Sequence, residues 1–224
     1  MDHQLFYEGK EFEAYKYLGA HCTENGTVFR TFAPAAEKIT LIGEFSAWEE
    51  ISMSKVYDGN FWECTVPNAK SGDMYKYRIY KKDGIVTDHS DPYGFYAELR
   101  PHTASIIFDM SAFSFSDGKW LSKRESSLNR PFNIYELHFG SWKRKADGSV
   151  YSYSELGDLL IPYIKEHGYN YIELMPLNEY PSDESWGYQA TGFFSDAAFL
   201  GDSVSMMLRN RCAQTGDLPG ALFL

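Results

Sequence analysis

Apolar and polar residues alternate in short runs through the first hundred positions. Thr27–Ala33 (TVFRTFA), Lys38–Gly43 (KITLIG), Phe61–Val66 (FWECTV) and Met74–Tyr80 (MYKYRIY) each approach the period of two expected of half-buried strands. Asn25-Gly26, Asp58-Gly59-Asn60, Ser71-Gly72-Asp73 and Asp83-Gly84 separate these runs. Such residues form turns, and their spacing is that of a small sandwich. Within KYRIY, Tyr77 and Ile79 point to one face of the strand, Lys76 and Arg78 to the other. The pattern predicts an all-β, immunoglobulin-like sandwich over residues 1–108. Asp91–Ile107 has no clean period and is expected to leave the sandwich as an irregular exit strand.

Residues 109–130 are Ser-rich and polar with single aromatics, as in a connector that packs through Phe113, Phe115 and Trp120. The rhythm changes at Pro131. Asn133–Phe139 reads as a strand. Tyr153–His167 reads as a helix, with Ser152 and Glu155 spaced for a capping box and Gly168 as its stop. Leu156, Leu159, Leu160, Tyr163 and Ile164 share one helical face. Gly157 and Pro162 oppose the helix, and a bend is expected at the proline. Asn170–Met175 supplies a second strand. Strand, helix and strand in this order form a β/α unit with parallel strands. A complete (β/α)8 barrel takes about 250 residues, whereas 94 remain from Pro131 to Leu224. If residues 131–224 belong to such a barrel, they form its first part and the barrel is incomplete. In the tail, a short helix over Ser203–Ala213 carries Met206, Met207 and Leu208, and the apolar Pro219–Leu224 has no following element to bury it.

Composition narrows the function. Hydrophobic residues make up 44% and charged residues 23%, enough for a real core. Aromatics reach 17%, which suits both sheet packing and ring-stacking surfaces. The formal net charge of -10 argues against nucleic acid and anionic membranes as partners. The one compact basic run, Trp142–Lys145, reads as a solvated loop. No segment has the roughly 20 apolar residues of a membrane span, and the N-terminus has no signal-like apolar stretch. A cytoplasmic location is the expectation. Cys22, Cys64 and Cys212 have no metal-ligand spacing and read as free thiols, two of them buried.

The candidate chemistry centres on Glu173–Phe194 (ELMPLNEYPSDESWGYQATGFF), which follows the second strand of the β/α region. Ligands of α/β folds gather at the C-terminal ends of strands. Tyr188 offers a ring and a hydroxyl for a sugar, Gly187 a close backbone approach, and Trp186 and Gln189 complete the motif. A loop folded locally around Trp186 is the plainer reading. Among the carboxylates, Asp183, Glu184 and Glu179 lie on the loop and Glu173 on the strand. Nothing in the sequence sets two of them at a catalytic separation. His138 ends the first strand of this region, where a structural hydrogen bond is expected. No H-E-x-x-H, G-x-S-x-G, G-x-G-x-x-G or P-loop pattern occurs, so neither a metal nor an organic cofactor is expected. In the N-terminal unit, Gly43–Trp48 places an aromatic just past a strand. Trp48, Trp62 and Tyr93 are candidates for a carbohydrate-stacking surface, with Trp62 expected in the core.

Longer matches say more. YEGKEFEAYKYLGAH, VFRTFAPAAEKITLIGEFSAW and DPYGFYAELRPHTAS resemble an N-terminal carbohydrate-binding module of family 48. NIYELHFGSWKR and YSYSELGDLLIPYIKEHGYNYIELMPLNEYPSDESWGYQATGFF resemble the start of the barrel in 1,4-α-glucan branching enzymes of the α-amylase superfamily. The resemblance spans about residues 5–195. It implies a retaining double displacement that moves an α-1,4-glucan segment to a glucose 6-hydroxyl, without metal or cofactor. It also implies that Tyr188 lines the sugar subsite and that Trp186, Gly187 and Gln189 shape the loop. From about residue 196 the chain departs from the family pattern: DAAFLGD and DLPGALFL stand where other segments are expected. The family's catalytic carboxylates lie on later barrel strands. No catalytic residue is therefore expected in this chain, which alone is expected to be inactive: a fragment, a frameshifted product or an interrupted gene. The other reading is a non-catalytic α-glucan-binding protein.

Overall fold

The computed structural model describes residues 1–112, 114, 116, 118–122, 131–196 and 220–223. The expected Ser203–Ala213 helix, Cys212 and the packing of Phe113, Phe115 and Trp120 lie outside the described residues and side chains. The chain forms two units, residues 1–110 with 192–195, and residues 111–191 with 196–224.

The first unit opens with helix α1 (His3–Tyr7) and is built of antiparallel strands: β1 (Gly19–Thr23), β2 (Gly26–Phe32), β3 (Ala36–Gly43), β4 (Ile51–Ser52), β5 (Ser54–Val56), β6 (Phe61–Val66), β7 (Met74–Lys81), β8 (Val86–His89), β9 (Tyr96–Ala97) and β10 (Ser105–Ile106). One sheet runs β1-β2-β6-β5. The other runs β4-β3-β7-β10-β9, with β8 also on β7. Inward residues of both sheets meet in one core: Phe29 and Trp62 from the first, Ile39, Leu41, Tyr75 and Tyr77 from the second. The alternation in β7 is as expected, with Tyr75 and Tyr77 buried between half-buried Lys76 and Arg78. Gly26 shows why its turn needs glycine. Its φ is +109°, and a Cβ there would collide with the Val66 carbonyl oxygen. The expectation of two buried cysteines is not met among the described residues: Cys22 is exposed on the edge strand β1, and Cys64 is half-buried. An edge strand has one face and one flank in water, which leaves Cys22 uncovered.

The second unit contains helices α2 (Gly118–Leu121), α3 (Phe139–Trp142) and α4 (Tyr153–Glu166). Its strands are β11 (Ile134–Leu137), β12 (Tyr171–Leu174), the short β13 (Asn178–Glu179) and β15 (Gly220–Phe223), while β14 (Gly192–Asp196) carries the chain out of it. β11 and β12 pair in parallel, Ile134 opposite Tyr171 and Leu137 opposite Leu174. The capping box is present. Ser152 Oγ accepts from the Glu155 N–H at 3.3 Å, and Glu155 Oε2 accepts from the Ser152 N–H at 2.7 Å. The helix runs on through Pro162. Leu156, Leu160 and Ile164 pack against Leu137, Ile172 and Leu174, each burial contributing roughly 1.5–3 kcal/mol. The terminal apolar run differs from expectation: Gly220–Phe223 pairs in parallel with β12, Ile172 opposite Ala221. Its backbone groups thereby gain partners that an isolated tail would lack.

Candidate functional site

The loop after β12 is held from several sides. The Tyr153 hydroxyl, at the start of α4, donates to the Leu177 carbonyl at 3.1 Å. The Thr191 N–H donates to the Glu179 carbonyl at 2.8 Å and closes the loop's base. Leu177, Glu179 and Tyr180 are buried. A 3-10 turn, Asp183–Ser185, then lifts the chain, and two residues in left-handed backbone end it: Trp186 at φ +56° and Gly187 at φ +87°. Gly187 sits against Pro176, where a Cβ would lie 2.5 Å from the carbonyl oxygen. Only glycine satisfies both the backbone angle and this close approach.

The anchoring leaves the aromatic tips in solvent. Trp186 is 56% exposed and Tyr188 59%; Gln189 is exposed beside them. The Trp186 ring lies face-on to the His138 imidazole, 6.3 Å between centroids. His138 Nδ1 pairs with Ser141 Oγ at 2.8 Å, the structural hydrogen bond the sequence suggested. Burial, then the Arg144 charge, lowers the His138 pKa, which favours the neutral ring. Glu179 is buried while Glu184 is exposed, so these two do not form a solvent-facing pair. Glu173 stands in register with Glu136 of β11. The alternate residues Ile172 and Leu174 pack on α4, so Glu173 belongs to the opposite face of the sheet. No group of three or more His, Cys, Asp or Glu able to hold a metal occurs among the described residues.

In the sandwich, Trp48 follows a 3-10 turn (Glu44–Ser46). Its φ is +65° and its exposure 41%. The Trp48 N–H donates to the Gly43 carbonyl at 2.8 Å. The same sheet carries a charged ladder that the sequence reading missed. Tyr80 donates to Glu50 at 2.6 Å, Arg78 reaches Glu50 at 3.2 Å, and its fork holds Asp88 at 2.8 and 3.0 Å. The signal was present in the outward positions of β7, which alternate with its buried tyrosines. Trp62 is in the core, 3% exposed, and donates to the Ala33 carbonyl at 3.1 Å. Tyr93 is half-buried, and Phe194 stacks on its ring at 5.3 Å.

The family described as Carbohydrate-binding module 48 (Isoamylase N-terminal domain) matches residues 17–94. The chain is 45% identical over 210 residues to the 1,4-alpha-glucan branching enzyme GlgB of Fusobacterium nucleatum, covering 92% of this chain and 34% of the relative. The chain is a homologue of the branching enzymes. The corresponding enzyme of Bacillus caldolyticus is 44% identical over 221 residues, covering 95% of this chain and 33% of the relative. The chain thus spans about a third of the length of these curated relatives. Among solved structures, a pullulanase from Anoxybacillus sp. LM18-11, complexed with maltotetraose, superposes with a TM-score of 0.71 at 20% identity. It covers 92% of this chain and 34% of that one. That similarity concerns the fold: an N-terminal β-sandwich followed by an unclosed, barrel-like β/α region.

Proposed function

We propose that this chain is the glucan-handling N-terminal part of a 1,4-α-glucan branching enzyme. The whole enzyme transfers an α-1,4-glucan segment to a glucose 6-hydroxyl by retaining double displacement, creating an α-1,6 branch. The observation that carries this reading is the loop Trp186–Gln189. It presents a tryptophan and a tyrosine to solvent at the C-terminal side of a parallel strand, in a chain 45% identical to a branching enzyme. Tyr188 holds the sugar ring by stacking and through its hydroxyl, and Trp186, Gly187 and Gln189 shape the loop. In the sandwich, Trp48 contributes a second stacking face, and the half-buried Tyr93, on whose ring Phe194 stacks, is the other candidate. The proposed division is 1–108 for the module, 109–130 for the connector and 131–224 for the barrel portion, with a divergent tail from about 196.

The 224-residue polypeptide by itself is proposed to bind glucan without branching it, since the parallel sheet has three strands among the described residues, and of the loop carboxylates Glu179 is buried while Glu184 is exposed. Purified protein should be retarded in glycogen-containing gels and should form no α-1,6 linkages from amylose. Linkages above a no-protein control would refute the second half of the reading. Tyr188→Ala is expected to weaken retardation about twofold to tenfold, as loss of one stacking ring does. A non-catalytic α-glucan-binding protein is the second reading. It is favoured by a sandwich that has its own core independent of the β/α unit.

A further inference from the structure

Four non-glycine residues hold left-handed backbone among the described residues: Ala47, Trp48, Tyr57 and Trp186. Three of them are large aromatics, and they are 41%, 67% and 56% exposed respectively. A residue with a Cβ is strained in this region, and a bulky ring is rarely found there. Glycine would make the same turns without strain. Trp48 and Trp186 already stand as glucan contacts in the reading above. Tyr57 shares their backbone and their exposure, and nothing so far gives it a role.

Tyr57 lies in the turn between β5 and β6, on the sheet opposite the one that carries Trp48. The His3 ring stacks on one face at 4.0 Å and 13°. Phe61 meets Tyr57 edge-on at 6.2 Å. Backed in this way and two-thirds exposed, the Tyr57 ring turns its other face to water. Polar groups are fixed beside it. The Tyr7 hydroxyl donates to Asp58 Oδ2 at 2.6 Å. Asn60 Nδ2 donates to the Tyr7 oxygen at 2.9 Å and to Asp58 Oδ2 at 3.1 Å. The Asn60 N–H donates to Asp58 Oδ1 at 3.0 Å. The Tyr7 hydrogen bond holds the Asp58 pKa below its ordinary value, so the carboxylate stays ionised and accepting. A pyranose has an apolar C–H face that covers a flat ring and a rim of hydroxyls that pair with planar polar side chains. Ring, carboxylate and amide stand together here with their geometry set in advance.

We infer that Tyr57, with Tyr7, Asp58 and Asn60, forms a second α-glucan site on the sandwich, separate from the Trp48 turn. The inference rests on the reading that the chain binds α-glucan. Two sites on one module act together on a polymer through effective concentration, but singly on a short sugar. The Tyr57 site therefore matters more for glycogen than for maltotriose.

Affinity electrophoresis in glycogen and an NMR titration with maltotriose test this on the full chain. Tyr57→Gly removes the ring and suits the φ of +56°; a thermal melt confirms that it stays folded. It should lose retention on glycogen about threefold to tenfold, while Tyr57→Phe stays within about twofold of the parent. In the unaltered chain, maltotriose should shift the Gly59 and Asn60 amides, a readout that does not depend on any variant folding. If the unaltered chain is not retained by glycogen, the parent reading fails and takes this one with it. If the unaltered chain is retained and Trp48→Ala loses retention, but Tyr57→Gly does not and the Gly59 and Asn60 amides stay still, this inference alone is overturned.

Discussion

Asp91 is a buried carboxyl group whose hydrogen-bond partners are all neutral. The Tyr75 and Tyr77 hydroxyls donate to its Oδ2 at 2.8 and 3.0 Å, and the Tyr93 N–H donates to its Oδ1 at 2.8 Å. Its own N–H donates to Ser105 Oγ at 2.8 Å. Burial outweighs these donors and pushes the pKa up from 3.8 to about 6. Since the folded value lies above the unfolded one, the sandwich gains stability as pH falls through 6 toward 4. At pH 7 the buried anion costs on the order of 3 kcal/mol. Urea denaturation of the chain and of Asp91→Asn between pH 4 and 7 measures this. The difference in stability between the two should change by roughly that amount across the window, and a constant difference would contradict the assignment. The same scale shows what glycine does at residue 187, where a substitution meets both Pro176 and an unsuitable φ.

At the scale of elements, the start of α4 rests on Ser152. Ser152→Ala removes the oxygen that accepts from Glu155 and is expected to cost about 1 kcal/mol, read as a lower urea midpoint at unchanged slope. This cap was legible because a serine and a glutamate three residues apart act locally. The strands over 27–33, 38–43, 61–66 and 74–80 were legible for a similar reason, since alternation is a property of one strand alone. β1, β4, β5 and β8 were not. GAHCT has no apolar period, and the other three are short segments that hold their place by pairing with a longer neighbour. Pairing across sequence distance leaves little local trace. Gly220–Phe223 is a strand for the same reason, through β12. On α4, Gly157 and Ile161 are buried beside the predicted face because neighbouring chain covers a wider stripe of the helix than its periodicity marks. At the loop, the ring-bearing residues were readable as types. The left-handed backbone of Trp186, which Tyr57 shares, leaves no trace in the sequence.

Across the whole molecule, the two units rely on separate cores. The sandwich has clusters around Phe29, Tyr75 and Tyr77 and around Leu18 and Phe61, and the β/α unit has one around Leu160 and Ile172. The β/α unit is expected to be the weaker of the two, because a parallel sheet is stable when both faces are covered and α4 packs on the one that carries Ile172 and Leu174. Calorimetry is expected to resolve two transitions, the β/α unit melting first. Leu160→Ala, at a cost of about 2–5 kcal/mol, should lower only the earlier one, and a shift of both would show a single cooperative block. No helix among the described residues is long and apolar enough to cross a membrane.

The placement of the tryptophans has an optical consequence. Trp62, shut in the core and bound to the Ala33 carbonyl, emits from apolar surroundings where a dissolved quencher does not reach it. Trp48 and Trp186 emit from water and are open to collision. A sugar settling on those outer rings shields them while leaving Trp62 and the half-buried Trp142 untouched, whereas unfolding exposes these two as well. The molecule's own emission thus separates occupancy from loss of structure without an added label.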